Sequence, residues 1–515
     1  MTLRGADIVA RSLARAGTRH VFALSGNHVM SVFDAALDAG LSLLHVRHEA
    51  ATVHMADAWA RLTGEVGVAL VTGGPGHANA VSALYTALAA ESPVVLLSGH
   101  APLLELGKGA FQEMAQAKMA APACKGSWTV RSAANLGEDL ARAMRMAKTG
   151  RPGPVHLSLP SDLLEAPAES GLAGIEAFQP EAHVPAREAI EEILEQLRKA
   201  KKPLVIAGPA MGAAPGRTAL QKFEAATRVP AIVMESPRGV NDPCLGLLAE
   251  VLAAADVVVL AGKRIDFTLK FGTAFAPDCR MIEAETDIAH MIDFSSKRKW
   301  ATSGWLGEVR AALAFRPAHW KSLASRPEGP PHPVEVGREV QKLLDAPDAV
   351  LIADGGEFGQ WSQATLSAPH RVINGPAGSI GAALPFAAAA KLALPGSNVV
   401  AMLGDGTFGF HSSEIDTAVR YGLGYVAVVG NDHCWNAEHQ IQLRSYGAAR
   451  AHALDLLPTR YDRVAEAFGA HGEQVERAAE LAPALQRAAG AAANGRPACV
   501  NVMIERLPAP VFRRG

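Results

Sequence analysis

Two aspartates that each follow an apolar segment could together hold a metal ion. Asp405 follows VVAMLG (399–404), and Asn431-Asp432 follow YVAVVG (425–430). The two apolar runs are typical of buried parallel strands, here joined by a helix over 412–421. Because the carboxyl ends of parallel strands meet at one edge of a sheet, where open α/β sheets bind ligands, we expect the two carboxylates to lie close together. Mg²⁺ takes one or two carboxylates and leaves its other positions to water and phosphate, so this stretch predicts a magnesium–phosphate site.

Glycines beside Asp405 would allow a phosphate group to approach the backbone. Gly404, Gly406 and Gly409 carry no Cβ, and the start of the following helix offers N–H groups to an anion. The chain has no G-x-x-x-x-G-K-[ST] motif, so the phosphate would be held through the metal and not by a P-loop lysine. For GDG alone, the alternative is a tight turn whose aspartate caps a helix.

The longer pattern around these aspartates is more specific than GDG. The GDG at 404–406 is followed by 24 residues, then Asn431-Asp432 and Cys434-Trp435. This pattern resembles the metal–diphosphate motif of thiamine-diphosphate (ThDP) enzymes, in the branch that contains acetolactate synthase, benzoylformate decarboxylase and benzaldehyde lyase. The resemblance implies that Mg²⁺ is bound by Asp405, Asp432 and the backbone carbonyl of Cys434. It also implies that the cofactor contacts Gly404, Gly406, Thr407 and Trp435. Position 432 is more often asparagine in those relatives, and aspartate adds a negative charge beside the diphosphate.

The order of apolar segments predicts an α/β protein with three doubly wound domains and mainly parallel sheets. This is the ThDP-binding fold that the resemblance implies. The domains are expected at 1–165 (N-terminal, pyrimidine-binding), 188–325 (central) and 334–515 (C-terminal, diphosphate- and Mg²⁺-binding), separated by proline-rich linkers. Strands are predicted at 20–25, 43–46, 66–72, 93–98, 154–159, 203–208, 231–234, 257–261, 281–283, 349–354, 399–404, 425–430 and 500–504. Helices are predicted, among other places, at 6–16, 31–39, 49–63, 78–90, 135–148, 188–200 and 216–227.

Glu49 is predicted in the first turn of a helix, within RHEAATVHMADAWAR (47–61). A plain helix-dipole interaction would explain a carboxylate there. The segment, however, resembles the family segment whose glutamate hydrogen-bonds the aminopyrimidine of the cofactor. The resemblance implies a catalytic Glu49 that shares a proton with the ring nitrogen, because a carboxyl in an apolar site is pushed towards its neutral form. The exocyclic amine can then take the thiazolium C2 proton.

Three glycine-rich segments resemble other parts of the family's cofactor site. TGGPGHANAV (72–81) would bring the backbone at Gly73 close to the pyrimidine and place Asn79 behind it, although Asn79 could equally be a first-turn helix residue. DGGEFGQW (354–361) resembles the loop over the diphosphate, with Gly355. NGPAGSIGAALPFAAAAK (374–391) resembles the segment that props the cofactor in a bent conformation, with Ile380 between the rings and the Gly378 carbonyl accepting from the amine. By pattern alone Ile380 would be a core residue.

Two further residues bear on the reaction. His28 in SGNHVMSVF matches a benzaldehyde-lyase segment better than the proline-containing segment of benzoylformate decarboxylase, and Gln112 matches a family glutamine that faces the substrate. A lone histidine at such a position is otherwise a helix cap or a surface group. A neutral imidazole can pass a proton to and from a substrate hydroxyl. We therefore predict a carbon–carbon lyase or carboligase acting on 2-hydroxy ketones, aldehydes or 2-keto acids.

Alternative functions remain open at this stage. One is an acetolactate-synthase-like condensation, or a decarboxylation, of 2-keto acids. Another is a non-catalytic partner subunit with the same fold. A third is a flavin oxidase, but ESPRGVNDPCLGLLAEVL (235–252) lacks the glycine- and asparagine-rich segment expected for FAD, so FAD is not supported. VIAGPAMG (205–212) is not G-x-G-x-x-G, which argues against NAD.

Composition limits the remaining partners and the location. A formal net charge of −2 over 515 residues, without long basic runs, gives no indication of nucleic acid or membrane binding. Five scattered cysteines without CxxC favour reduced thiols in a cytoplasm. No apolar run approaches the roughly 20 residues that span a bilayer. The resemblance implies a homodimer or homotetramer with the active site between subunits, acting on a small molecule.

Overall fold

The computed structural model describes residues 3–168, 171–181, 186–284, 288–295, 298–300 and 304–513. The chain forms two compact units. The first comprises Met1–Ala182, Leu384–Pro395 and His411–Gly424, and the second comprises His183–Ala383, Gly396–Phe410 and Tyr425–Gly515. The N-terminal residues therefore pack with two short segments that come from far along the chain.

Residues 3–168 alternate between strands and helices, as their apolar runs predict. The strands are β1 (Leu3–Arg4), β2 (His20–Ala23), β3 (Ser42–His45), β4 (Gly67–Val71), β5 (Val94–His100), β6 (Gly126–Thr129), β7 (Val155–Pro160) and β8 (Pro167–Ala168). The helices are α1 (Gly5–Arg15), α2 (Met30–Asp38), α3 (Glu49–Thr63), α4 (Pro75–Ala89), α5 (Gln116–Ala120), α6 (Leu136–Lys148) and α7 (Ser161–Glu165). A parallel sheet runs in the order β3-β2-β4-β5-β7-β6, and β1 pairs with β8 antiparallel.

A parallel sheet of the second unit lies between residues 203 and 284. Its strands are β9 (Pro203–Ala207), β10 (Ala231–Val233), β11 (Val257–Ala261) and β12 (Arg280–Ala284), in the order β10-β9-β11-β12. The accompanying helices are α8 (Arg187–Lys199), α9 (Ala214–Thr227), α10 (Leu248–Ala254), α11 (Ile288–Ser295) and α12 (Trp305–Leu313). The leucines, isoleucines and valines of β9 and β11 are buried, apart from the half-buried Val257, as expected for strands covered on both faces.

The C-terminal residues build another parallel sheet. Its strands are β13 (Val350–Ala353), β14 (His370–Ile373), β15 (Val399–Gly404), β16 (Val426–Asn431), β17 (His471–Val475) and β18 (Ala498–Met503), in the order β14-β13-β15-β16-β18-β17. The helices are α13 (Pro333–Leu344), α14 (Gly356–Thr365), α15 (Ala383–Ala393), α16 (Asp405–His411), α17 (Glu414–Arg420), α18 (Asn436–Tyr446), α19 (Tyr461–Ala467) and α20 (Ala478–Ala493). Strands β13, β15 and β16 end beside one another, so the residues that follow them share one edge of the sheet.

These parallel sheets confirm the predicted α/β class, the arrangement expected of the ThDP-binding fold. The helix predicted over 412–421 lies at Glu414–Arg420, and a separate short helix that was not predicted begins at Asp405. Strands β6, β14 and β17 were not predicted, nor were the two-residue strands β1 and β8. The three domain ranges stay a prediction. Within the described residues, no helix has both the length and the apolar character that crossing a membrane requires.

Candidate active site

A cavity of about 350 Å³ lies at the carboxyl edge of the C-terminal sheet, within the second unit. It opens where β13, β15 and β16 end, which is where ligands bind in open α/β sheets. All the cofactor residues predicted between positions 355 and 435 line it. They are Gly355, Gly378, Ile380, Gly404, Asp405, Gly406, Thr407, Asp432, Cys434 and Trp435. The structure thus brings together residues that are up to 80 positions apart in the chain.

Asp405 is buried where β15 becomes α16, with 4% of its surface exposed. Its carboxylate accepts hydrogen bonds from the backbone N–H of Gly406 at 2.8 Å and of Cys434 at 3.2 Å. Burial raises the pKa of this carboxyl to about 6, against the opposing effect of these N–H donors. The Thr407 hydroxyl donates to the Gly404 carbonyl at 3.0 Å and stabilises the turn. The Asp405 side chain is therefore held between the turn after β15 and the turn after β16.

Asp432 places a second carboxylate close to the first. Burial, and then the negative charge of Asp405, raise its pKa to about 7, while Arg506 opposes the shift. The Arg506 guanidinium donates to the backbone carbonyls of Asp432 and His433, each at 2.8 Å, and so fixes the loop. Two neighbouring carboxylates, both hindered from ionising by burial, form a donor set that favours a bound cation.

Side chains alone would not complete such a metal site. The described residues contain no group of three or more His, Cys, Asp and Glu side chains placed to hold a metal ion. Two carboxylates and a backbone carbonyl, with the remaining positions taken by phosphate oxygens and water, form the kind of set that Mg²⁺ accepts. The donors present at Asp405, Asp432 and Cys434 fit that set.

Glycines create space in this cavity that a side chain would fill. A Cβ at Gly406 would lie 2.8 Å from the Trp435 ring, and a Cβ at Gly355 would lie 2.6 Å from Cγ2 of Ile380. Gly378 has a φ of +69°, a backbone conformation that other residues rarely adopt. These turns therefore require glycine at positions 355, 378 and 406. Glycines that let a ligand approach the backbone were predicted here from the sequence.

Three residues of this region were not predicted from the sequence. Asp354 follows β13, and its carboxylate accepts from the backbone N–H groups of Gly381 and Ala383, which anchors the loop that carries Ile380. Asn374 and Gln363 line the cavity, each 3% exposed. Their side-chain oxygens meet no hydrogen-bond partner among the described residues. Buried polar atoms are normally satisfied, so these two oxygens indicate a bound group with N–H or O–H donors.

Two arginines add positive charge to the same cavity. Arg238 and Arg444 line its wall together with Glu438. Arg238 lies 3.9 Å from Glu357, too far for a strong ion pair. Cationic groups and a metal ion together would offset the charge of a diphosphate beside two carboxylates.

Glu49 and Asn79 lie in the first unit, Glu49 as the first residue of α3 and Asn79 in the second turn of α4. The Asn79 amide donates to Oε2 of Glu49 at 3.0 Å. A Cβ at Gly76 would lie 3.3 Å from Oε1 of Glu49, so the glycine keeps that side of the carboxylate open. Gly73 lies against the Gly99 carbonyl, which leaves no room for a side chain. The predicted pair is in direct contact, and Asn79 orients the glutamate.

His28 and Gln112 also belong to the first unit. His28 is 6% exposed, its Nδ1 lies 3.1 Å from the Thr72 hydroxyl, and its ring stacks on Phe111. Burial lowers its pKa, against a hydrogen bond with the Phe111 backbone, so the imidazole is neutral at pH 7. Gln112 has a φ of +55°, and its backbone packs against Gly74.

Thr72 connects this pair to the glutamate. A Cβ at Gly76, in the turn beside Glu49, would lie 2.7 Å from Cγ2 of Thr72, whose hydroxyl contacts His28. Thr72 was not predicted as a site residue, because a threonine that ends an apolar strand carries no chemical signal by itself. Its place in TGGPG, directly before two of the predicted glycines, was the available indication.

Comparison with known proteins agrees with this geometry. Residues 3–119 match the family model "Thiamine pyrophosphate enzyme, N-terminal TPP binding domain", and residues 354–502 match "Thiamine pyrophosphate enzyme, C-terminal TPP binding domain". The chain is 32% identical to a "Probable acetolactate synthase" of Mycobacterium bovis, over 98% of this chain and 96% of that protein. It is 31% identical to "2-hydroxyacyl-CoA lyase 2" of Homo sapiens, over 99% of this chain and 91% of that protein. The chain is thus a thiamine-diphosphate-dependent enzyme and belongs to the family that includes acetolactate synthase.

Proposed function

We propose that this enzyme is a Mg²⁺-dependent carbon–carbon lyase or carboligase acting on 2-hydroxy ketones, aldehydes or 2-keto acids. The observation that carries the proposal is the set of predicted cofactor residues that line one cavity, with two carboxylates at its edge. The Glu49–Asn79 pair supplies a positioned acid–base group in the first unit. Both features are what making or breaking a carbon–carbon bond beside a carbonyl requires.

The cofactor's diphosphate end would be held in the second unit. Asp405, Asp432 and the Cys434 carbonyl would ligate Mg²⁺, and the metal would in turn hold the diphosphate. Gly404, Gly406 and Thr407 form the turn that allows its approach. Gly355, Gly378, Ile380 and Trp435 would enclose the rest of the group. The unpartnered oxygens of Asn374 and Gln363 support a ligand in this cavity, since donors of the ligand or of its water would satisfy them.

The chemistry depends on proton transfers by this chain's own residues. Thiamine diphosphate, when bound, supplies a carbon nucleophile for attack on a carbonyl. Glu49 would hold a proton for the aminopyrimidine ring nitrogen at the oxygen that Gly76 leaves open, while Asn79 fixes the other oxygen. An acid–base group placed in this way contributes about 10²–10⁴-fold to rate.

His28 would act on the substrate side, with Gln112 beside it. Its imidazole is neutral near pH 7 and can both give and take a proton, as cleavage or formation of a 2-hydroxy ketone requires. The contact with the Thr72 hydroxyl orients the ring. This histidine supports the likeness to benzaldehyde lyase and favours acyloin chemistry over simple decarboxylation.

An acetolactate-synthase-like condensation of 2-keto acids is the second candidate. The full-length similarity to an acetolactate synthase and to a 2-hydroxyacyl-CoA lyase supports it, since both names describe reactions at a carbon beside a carbonyl. Both candidates use the same cofactor, metal site and Glu49. They differ in the substrate that His28 and Gln112 would meet.

We also propose a homodimer or homotetramer with the active site between subunits, and a cytoplasmic location. The assembly is supported by the family resemblance. The location is supported by five scattered cysteines without CxxC.

The experiment that tests the function is a substrate panel. Purified protein with thiamine diphosphate and Mg²⁺ is offered benzoin, acetoin, pyruvate, benzoylformate and 2-hydroxyacyl-CoA, and products are separated by chromatography. We expect acyloins to be cleaved or formed. Acetolactate from pyruvate without any acyloin chemistry would favour the second candidate.

Two other outcomes would point to different classes of protein. Tight cofactor binding with no turnover of any substrate would favour a non-catalytic partner subunit. A yellow protein with flavin absorbance would favour an oxidase. Omitting Mg²⁺ in the presence of EDTA is the control for the metal.

A further inference from the structure

A buried glutamate of α17 holds the backbone turn that precedes Glu49. Glu414 is fully buried, and its carboxylate accepts from the backbone N–H of Arg47, at 3.1 Å to one oxygen and 3.3 Å to the other. It also accepts from the Thr417 hydroxyl at 2.7 Å and from the backbone of His48. The residues on either side of this contact, α17 and the start of α3, belong to the same compact unit.

The opposite end of the same helix contacts the open edge of strand β3. The Tyr421 hydroxyl accepts from the His45 N–H at 2.8 Å and donates to the Leu43 carbonyl at 3.2 Å. The Arg420 guanidinium donates to the His45 carbonyl at 2.5 Å. We refer to Glu414, Arg420 and Tyr421 as the α17 clamp.

The position of β3 explains why these backbone groups need partners. β3 is the edge strand of its sheet, and the N–H groups of Ser42 and Val46 point to β2. The groups of Leu43 and His45 therefore face outwards, where no strand pairs with them. Unpaired backbone groups at such a site are costly, and the α17 clamp supplies side chains in place of a strand.

Using a buried carboxylate to accept from the Arg47 and His48 N–H groups costs free energy. Burial raises the pKa of Glu414 to about 7, against the effects of Thr417, the Arg47 and His48 backbone groups and Arg420. Burying a charge costs free energy unless hydrogen bonds compensate it. A buried glutamate at this position therefore indicates a requirement for a fixed turn, beyond simple helix packing.

We propose that Glu414 is a positioning residue for Glu49: by accepting the backbone N–H groups of Arg47 and His48, it fixes the turn from which Glu49 projects towards the cofactor. This inference rests on the acid–base role proposed for Glu49. Glu414 acts only through the backbone and does not contact cofactor or substrate.

The test compares Glu414→Gln with Asp416→Asn in the full-length protein. Asp416 lies on the same helix and pairs with the Arg47 and Arg420 side chains, but its carboxylate accepts from no backbone N–H of the turn. One readout is amide hydrogen exchange of residues 43–50 without cofactor. We expect Glu414→Gln to speed exchange of the Arg47 and His48 amides about tenfold, as weakening of a buried hydrogen bond predicts, and Asp416→Asn to leave it unchanged.

The second readout is deuterium exchange at C2 of bound thiamine diphosphate. We expect Glu414→Gln to slow it about tenfold while cofactor affinity stays within about twofold, the expected result for a misplaced rather than missing group. Unchanged amide exchange, or unchanged C2 exchange, would overturn the proposal. If Glu49→Gln itself leaves C2 exchange unchanged, the proposed function fails instead, and the amide result still reports on the clamp.

A second variant covers the case in which Glu414→Gln does not fold. Tyr421→Phe keeps the buried carboxylate and removes only the contacts to His45 and Leu43. We expect faster exchange of the His45 amide and a smaller, several-fold slowing of C2 exchange. Wild-type values for both in a folded Tyr421→Phe protein would contradict the role of the clamp.

Discussion

The carboxylate of Asp405 accepts a hydrogen bond from the backbone N–H of Cys434 at 3.2 Å. This contact links the turn after β15 to the turn after β16. It places the predicted metal-binding aspartate against the residue whose carbonyl is the predicted third ligand. The geometry of the site is therefore fixed by the protein's own hydrogen bonds.

Replacing Asp405 with alanine should abolish Mg²⁺-dependent cofactor binding. The substitution removes one proposed metal ligand and the link to Cys434 together, and an octahedral site tolerates neither loss well. Isothermal titration with thiamine diphosphate, with Mg²⁺ and with EDTA, measures the effect. Cofactor affinity equal to that of the wild type would show that Asp405 is not a ligand.

Asp432→Asn should be tolerated by the same measure. The amide retains an oxygen donor and removes the charge that Asp405 opposes, so we expect cofactor affinity to stay within about tenfold of the wild type. A loss as severe as that of Asp405→Ala would show that the charge at position 432 is itself required.

Replacing Glu49 with glutamine should leave folding and diphosphate binding nearly intact. The amide keeps the size of the side chain and the contact with Asn79, but it cannot exchange a proton with the ring nitrogen. We expect C2 deuterium exchange to slow by about 10²–10⁴-fold. Asn79→Ala is the matched variant, and its effect should be smaller because it only loosens the orientation of Glu49. Wild-type exchange in Glu49→Gln would remove this residue from the mechanism.

The strands that were predicted differ in burial from the strands that were missed. Strands β15 and β16 lie inside their sheet and are apolar throughout, so their pattern was visible. Strands β6, β14 and β17 lie at sheet edges and contain many half-buried residues, so neither apolar runs nor alternation marked them. Asn374 follows β14, and recognising that strand would have placed it at the same sheet edge as Asp405.

Among the site residues, those in short sequence motifs were predicted, whereas those defined by contacts distant in the chain were not. Asp405, Asp432 and Glu49 were found because each lies in a short segment that resembles the family's motifs. Glu414 was predicted only as part of a helix over 412–421. Its burial results from a contact with Arg47, 367 positions away in the chain, which local spacing does not reveal.

The stability of the apoprotein should depend on pH through Glu414. Burial raises its pKa from 4.5 to about 7, so between these values the folded state keeps a proton that the unfolded chain gives up. Raising the pH through this window therefore destabilises the fold, by at most about 1.4 kcal/mol per pH unit. The Arg420 charge opposes the shift.

Glu414→Gln removes this dependence because an amide does not titrate. We expect the urea midpoint of the variant, relative to the wild type, to rise between pH 5 and pH 8. Asp416→Asn provides the control, since the Asp416 pKa is lowered by its arginine partners. A constant difference between Glu414→Gln and wild type across that range would show that the carboxyl does not titrate there.

The enzyme should be at least a dimer in solution. A single chain leaves large apolar side chains exposed in the segment that precedes Gln112: Leu104 is 81% exposed and Phe111 is 66% exposed. Exposed apolar groups near a site indicate a protein interface. Light scattering at micromolar concentration tests this expectation. A monomer that remains fully active would contradict the proposed site between subunits.

Replacing His28 with alanine should reduce acyloin cleavage and synthesis while cofactor binding and C2 exchange stay near wild-type values. The imidazole is buried, neutral and oriented by Thr72, so its loss removes a proton donor and acceptor without touching the metal site or Glu49. We expect kcat to fall about 10²–10⁴-fold with little change in cofactor affinity. Thr72→Val, which removes only the orienting hydroxyl, should have a smaller effect of the same kind. Steady-state kinetics on the acyloin substrate, with C2 exchange measured on the same samples, separates this role from that of Glu49. Full acyloin activity in His28→Ala would eliminate the histidine as a proton-transfer group and would leave the cofactor site unaffected.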